Sequence, residues 1–157
     1  MASKFDPKTF LDLQVNDANS TKRLPVPVGE YMSLIEKVDV RAWQSKDGSK
    51  SGLALDVTHN LDDAAVKTAM GRDKVTMTQG IMLDLTDNGS LDMGKGKNVQ
   101  LGRLREATGL NVAGQPFSFR MLEGKVVKIR VGHEQDDRPG AAPDDIFDRV
   151  EGVVKAA

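Results

Sequence analysis

The chain contains no cysteine, which excludes disulfides and thiolate metal sites and is compatible with a reducing compartment. Aromatic residues make up only 4% of its 157 residues, so each exposed ring is informative. No apolar run approaches the roughly 20 residues that a membrane span needs. The first residues also lack the apolar core of a secretory signal. We therefore expect a cytoplasmic protein with no membrane segment.

The formal net charge is only −1, which at first argues against a nucleic-acid partner. The distribution of charge weakens that objection. Residues 134–148 hold six of the 23 acids and one of the 22 bases, so the remainder has 17 acids and 21 bases, a balance of +4. Affinity for phosphates depends on the local patch rather than on the total charge. The sequence thus predicts a mildly basic body with one acidic loop.

The length suits one domain that can bury a core without disulfides. We expect residues 1–27 to form an N-terminal arm, in which apolar side chains cover an edge of the core: Phe10, Leu11, Leu13 and Val15. Residues 28–157 then form a single domain that includes the acidic loop 134–148.

Within that domain the first strand is expected to end at Trp43 and to turn back at Asp47-Gly48. Alternation predicts an inward face of Met32, Leu34, Val38, Val40 and Ala42. Because Glu36 interrupts that face, we expect a bulge near Ile35-Glu36. Later segments are predicted as a helix (61–70, ended by Gly71), a strand (74–85), a helix (98–108) and two strands (125–133 and 146–154).

This order predicts a mainly β protein, an OB-fold-like five-stranded Greek-key barrel with one or two short helices. A two-layer β-sandwich is the alternative, since strand number alone does not establish closure of a barrel.

The other face of the first strand alternates aromatic and basic groups, which is typical of a surface that binds single-stranded nucleic acid. On it we expect Tyr31, Ser33, Ile35, Lys37, Asp39, Arg41 and Trp43. Tyr31 and Trp43 would stack on bases, and nearby cations would contact phosphates: Lys37, Arg41, Lys46, Lys50, Lys128 and Arg130. Lys95 and Lys97 add phosphate contacts from a glycine-rich loop, and Phe147 and Arg149 share a face on the last strand. Core packing of the two rings and solvation of the charges remain alternatives.

Catalytic and metal motifs are weak. Residues 89–96 nearly match a phosphate-binding loop, but Gly96 replaces the hydroxyl that binds magnesium and Asp92 would place a carboxylate in the anion cradle. The two histidines, His59 and His133, fall on different strands without a ligand-spacing motif. We therefore expect no catalytic residues, no metal site and no cofactor.

Four segments carry a resemblance to a known family: residues 80–86 (GIMLDLT), 91–98 (LDMGKGKN), 101–110 (LGRLREATGL) and 119–125 (FRMLEGK). Over roughly residues 24–154, the chain resembles small bacteriophage single-stranded DNA-binding proteins. The resemblance implies an OB-fold that coats single-stranded DNA during phage replication or recombination, in the host cytoplasm. Many such proteins end in an acidic tail that recruits replication partners, whereas here the acid lies in loop 134–148.

The leading hypothesis is therefore sequence-tolerant, non-enzymatic binding of single-stranded DNA. Phage replication or recombination proteins are the expected protein partners, and a homo-oligomer is compatible. The alternative is a non-enzymatic phage structural or protein-interaction β-domain, favoured by the near-neutral charge and the acidic loop. An enzyme ranks third, because no motif supports a site.

Overall fold

The computed structural model of the protein describes residues 6–142 and 144–156. Its strands are β1 (Gly29–Gln44), β2 (Ser51–Leu61), β3 (Thr76–Met82), β4 (Val126–Gln135) and β5 (Ile146–Lys155). Its helices are α1 (Pro7–Phe10), α2 (Ala64–Met70) and α3 (Val99–Ala107), and a 3-10 turn (Phe119–Leu122) precedes β4. The prediction of a mainly β protein is confirmed. Helix α1 and the 3-10 turn were not predicted.

The strands form one antiparallel sheet in the order β3-β2-β1-β4-β5. The central strand, β1, pairs with β4 through its first part (Gly29 to Leu34) and with β2 through the rest (Ser33 to Gln44). Strands β3 and β5 end the sheet, and some of their Cα atoms come within 8 Å of one another. No ladder joins these two strands within the described residues. The sheet therefore curls but remains open.

A β-bulge divides β1, as predicted. Ile35 pairs with His59 and Lys37 with Thr58, so Glu36 is an extra residue. The segment before β4 holds this irregularity: Ile35 donates to the Lys125 carbonyl (2.8 Å), and Gly124 donates to the Ile35 carbonyl (2.8 Å). The Glu36 carboxylate accepts from Asn60 Nδ2 and pairs with Lys74, both at 2.8 Å.

The bulge overturns part of the predicted face assignment. Before it, Ser33 and Ile35 are fully buried, whereas Leu34, predicted to point inward, is exposed. After it Val38 is buried, as predicted, although Val40 is exposed. Side chains alternate along a strand, so one inserted residue exchanges the two faces. The prediction of a single outward face running from Tyr31 to Trp43 was therefore wrong for its first three members.

The core lies between the two halves of the curled sheet. Fully buried side chains come from each inner face, among them Ile35, Leu55, Ile81 and Ile129. Helix α3 contributes Leu101 and Leu104, and the 3-10 turn contributes Leu122.

The helix ends differ slightly from prediction. Leu61 continues β2, so α2 starts later, at an Asp63 side chain that accepts from the Val66 N–H (2.9 Å). Gly71 ends α2 in the left-handed conformation (φ 66°), as predicted. Within the described residues, no helix has the length and apolar character to cross a membrane.

The arm does not cover the core edge, and that prediction was wrong. Its four apolar side chains are between 56% and 88% exposed: Phe10, Leu11, Leu13 and Val15. The arm joins the body only near its end, where Val26 is buried. There Val26 donates to the Asp148 carboxylate (2.6 Å), and its carbonyl lies 2.7 Å from His133 Nε2.

A polar triad crosses the core at β1, β2 and β3. His59 is fully buried, with Ser33 Oγ 2.9 Å from Nδ1 and Gln79 Oε1 3.0 Å from Nε2. Because an amide oxygen only accepts, Nε2 carries the proton and Nδ1 accepts from the Ser33 hydroxyl. Burial lowers the pKa of His59 below its ordinary value of 6.5, although the Gln79 hydrogen bond partly opposes this shift.

The neutral His59 predicts acid sensitivity above the range where carboxylates titrate. Below its unfolded pKa of 6.5, the unfolded chain takes up a proton that the buried imidazole excludes. The free energy of unfolding should therefore be fully present above that pH and fall as pH drops, by up to about 1.4 kcal/mol per pH unit. Urea unfolding at about pH 7.5 and about pH 5.5 measures the slope. His59→Gln should flatten it, and an unchanged slope in that variant would contradict the assignment.

Candidate nucleic-acid interface

Trp43 lies on the outer side of the sheet, near the end of β1, directly opposite Gly52 of β2. The half-exposed indole lies against this glycine: a Cβ there would come within 3.0 Å of Cε2, Cζ2 and Nε1. The indole N–H is covered and has no hydrogen-bond partner within the described residues. Gly52 thus leaves room for the ring to lie close to the sheet.

The β1–β2 turn that follows Trp43 is held by its own side chains. The Asp47 carboxylate accepts from the Ser45 hydroxyl (2.7 Å) and from the Ser49 N–H (3.0 Å) and hydroxyl (2.7 Å). These bonds lower the pKa of Asp47 to about 2, so its charge is satisfied within the turn. Lys46 and Lys50 flank it, exposed, and no carboxylate of the described chain lies within 4 Å of either ammonium.

A second lysine loop emerges at the same end of the sheet. Pairing between β2 and β3 continues past Met82, where Leu83 donates to the Leu53 carbonyl (3.1 Å), one residue from Gly52. The next residue, Asp84, accepts from the Asn98 N–H, while its own N–H donates to Asn98 Oδ1, both at 2.8 Å. Asn98 therefore anchors the loop that carries Lys95 and Lys97 near the Trp43 end of the sheet.

Both lysines of this second loop are exposed, and neither pairs with a carboxylate in the described part of the chain. The Asp92 carboxylate accepts the Gly94 N–H (2.9 Å). It thus occupies part of the space that a phosphate would take in a nucleotide cradle.

The other two cations on this face are already paired. Lys37 lies 3.0 Å from Asp39, and Arg41 Nε donates to Asp56 at 2.8 Å. Asp39 and Asp56 stand directly opposite one another on β1 and β2, an arrangement of like charges that the two cations offset. The face therefore combines two neutralised pairs in its centre with free lysines at the Trp43 end.

Tyr31 is not on this face. It lies half-buried against the core, and its hydroxyl donates to the Pro27 carbonyl (2.7 Å). Burial, with a smaller contribution from Asp63, raises its pKa. The predicted sharing of one surface by Tyr31 and Trp43 was wrong, because the bulge lies between them.

The predicted residues of the last two strands form a separate group on the outer face of β4 and β5. Lys128 stands opposite Met32 and Arg130 opposite Glu30, with Arg130 3.8 Å from that carboxylate. Trp43 lies eleven residues beyond Met32, roughly 36 Å along the strand. The structure therefore does not bring these residues to Trp43.

Within that group the last strand contributes an aromatic ring and a paired arginine. Phe147 is exposed, next to the ion pair of Arg149 with Glu134. Lys128 has no carboxylate within 4 Å among the described residues.

The acidic loop binds the arm. Lys22 contacts Asp144 (2.6 Å) and Asp145 (2.7 Å), which lowers the pKa of both carboxyls. Within the loop, Arg138 pairs with Asp136 and lowers the pKa of that carboxyl to about 2. Arm and loop line one side of a cleft of about 720 Å³ that also borders α2 and β3.

Sequence reasoning missed the residues that support the site. Gly52 carried only the weak signal of a glycine within a strand, and the Asp84–Asn98 contact left no local pattern. Within the described residues, no group of three or more histidine or acidic side chains could hold a metal ion. The sequence matches no protein-family model, and no curated protein matches it.

The contact between Trp43 and Gly52 predicts a specific effect of Gly52→Ala. The new methyl group must lift the indole, so tryptophan emission should shift to the red and acrylamide quenching should increase, with a stability loss of about 1–3 kcal/mol. Gly102→Ala is the matched control, because a Cβ there meets nothing within 4 Å. It should leave emission unchanged and stabilise α3 by roughly 1 kcal/mol. Unchanged emission in both variants would contradict the contact.

Proposed function

We propose that the protein is an OB-type barrel that binds single-stranded DNA without sequence preference and without catalysis. The strand order supports the fold, because β1 pairs with both β2 and β4, α3 lies between β3 and β4, and β3 approaches β5. Barrels of this type bind oligonucleotides on the face of their second and third strands, between the loops that join strands one to two and four to five.

The observation that carries the proposal is the position of Trp43 between two loops of unpaired lysines. A base stacks on the indole, which any base can do because each has a π-face. Lys46 and Lys50 neutralise phosphates on one side of the ring, and Lys95 and Lys97 do so on the other. This combination of stacking and mobile cations fixes the backbone without reading base edges.

The acids on the same face limit the affinity. A phosphate must compete with Asp56 for Arg41 and with Asp39 for Lys37, so these cations contribute less than the free lysines. Together with a net charge of −1, this predicts modest and strongly salt-sensitive binding. Such a protein would coat transiently exposed strands and release them readily, which suits the role in phage replication or recombination that the family resemblance implies.

Trp43→Ala should weaken the binding of fluorescently labelled oligo-dT by roughly 1–3 kcal/mol, whereas Trp43→Phe should retain most of the affinity. Fluorescence anisotropy, which does not depend on the lone tryptophan, measures both variants.

The same titrations at several salt concentrations test the electrostatic part. Lys46→Gln and Lys50→Gln should each reduce the log–log salt slope by about 0.7. Arg149→Gln, on the other half of the sheet and already paired, is the control. Absence of binding at low salt, or an affinity independent of salt, would refute the proposal.

Removing the carboxylate that holds Arg41 should strengthen binding. Asp56→Asn frees the guanidinium for a phosphate, so affinity should rise severalfold and the salt slope should steepen by about 0.7. The ion pair is partly exposed and contributes at most about 1 kcal/mol to folding, so the variant should remain folded. Glu30→Gln frees Arg130 on the other half and serves as the matched control. An equal gain from Glu30→Gln would place the DNA elsewhere.

One observation favours the second candidate, a non-enzymatic phage structural or protein-interaction β-domain. Four of the predicted phosphate-binding cations are paired with acids: Lys37, Arg41, Arg130 and Arg149. This candidate predicts no anisotropy change with oligo-dT at any salt concentration, together with a stable protein complex.

A further inference from the structure

The N-terminal arm has the pattern of a strand that lacks a partner. Leu11, Leu13 and Val15 alternate with Asp12, Gln14 and Asn16, so an extended arm places the three apolar side chains on one side. The body leaves all three more than half exposed. Clustered exposed apolar side chains are typical of surfaces that bind another molecule.

A surface of matching character lies on the outer face of β1, β4 and β5. Its apolar centre, called here the valine patch, consists of Leu34, Val126 and Val154, which are between 38% and 52% exposed. Leu34 stands opposite Val126, and Val154 stands opposite Lys128, two residues further along β4. These pairings place the three side chains on one continuous face.

Charge complements the apolar match. The valine patch is surrounded by Lys125, Lys128 and Lys155, and no carboxylate in the described residues lies within 4 Å of their ammonium groups. The arm from residue 6 to residue 19 carries Asp6, Asp12 and Asp17 but a single base, Lys8. In an extended arm, Asp17 falls on the same side as Leu11, Leu13 and Val15.

The root of the arm lies far from the valine patch of its own chain. Lys22 is held by Asp144 and Asp145, just before β5 begins, whereas Val154 lies near the end of β5. Eight residues of strand separate Ile146 from Val154, roughly 26 Å. Val15, seven residues before Lys22, can extend at most about 25 Å from that root. In a two-fold dimer, by contrast, the root of one copy can lie next to the patch of the other.

We propose that the arm of one copy docks on the valine patch of a second copy, with Leu11, Leu13 and Val15 against the patch and Asp17 beside Lys128. A two-fold arrangement makes the contact twice, and both apolar surfaces leave water. The dimer does not depend on DNA and leaves the Trp43 face open. It covers Lys128, which then serves association rather than phosphate binding.

Sedimentation equilibrium without DNA tests the dimer. The wild type should show a concentration-dependent monomer–dimer equilibrium. Leu13→Asp and Val154→Asp should each weaken it about tenfold or more, because each places an unpaired carboxylate in an apolar contact. Val112→Asp, at another exposed apolar position in a loop, is the matched control and should associate like the wild type. A wild type that stays monomeric at all concentrations, or a Leu13→Asp variant that associates normally, would overturn the proposal.

Two further measurements separate docking from misfolding and from contact within one chain. Asp17→Lys and Lys128→Asp, both at charged surface positions, should each weaken association, and the double variant should recover part of it. A mixture of Leu13→Asp and Val154→Asp chains should form a heterodimer through the one intact arm and patch. Failure of the charge reversal to rescue, or an arm protected from proteolysis in a monomeric wild type, would refute docking between copies.

Discussion

The structure depends most on the extra residue in β1, Glu36. Neighbouring groups satisfy this irregularity: Glu123 accepts the Val38 N–H (3.0 Å), while Asn60 and Lys74 bind the Glu36 carboxylate. Because the insertion exchanges the faces of the strand, one continuous β1 supplies buried side chains to the core before the bulge and an outward indole after it. Without it, Ile35 and Trp43 would share a face, and either the core would lose an isoleucine or the surface would lose its aromatic ring.

The electrostatic pattern explains how a protein with a net charge of −1 can present a cationic edge. Acids in the middle of the sheet neutralise the arginines and Lys37 across strands, and acids of the 136–145 region hold the arm through Lys22. What remains unpaired is a set of lysines at loops and at the β4–β5 face. Local placement of acids, rather than the number of bases, decides where an anion can bind.

Sequence patterns predicted the positions of the strands, the Asp47-Gly48 turn, the bulge and helix α3, because each depends on local alternation, turn residues or caps. They failed for the faces of β1 before the bulge, where the parity of the strand follows from pairing with Gly124 and Lys125, distant in sequence. They also failed for the arm, whose apolar pattern indicates burial without naming the partner surface. Gly52 under Trp43 and Lys22 on the acidic loop are tertiary contacts that no local pattern encodes.

The sharing of β1 between two halves has a consequence for synthesis on the ribosome. The end of β1 can form a hairpin with β2 as soon as both have emerged, but Gly29 to Leu34 must wait for Val126 to Val131, which pair with them nearly a hundred residues later. Until then the nascent chain carries an unpaired strand edge, with Ile35 still uncovered. The interval before β4 appears is thus the period of greatest exposure to aggregation or to capture by chaperones.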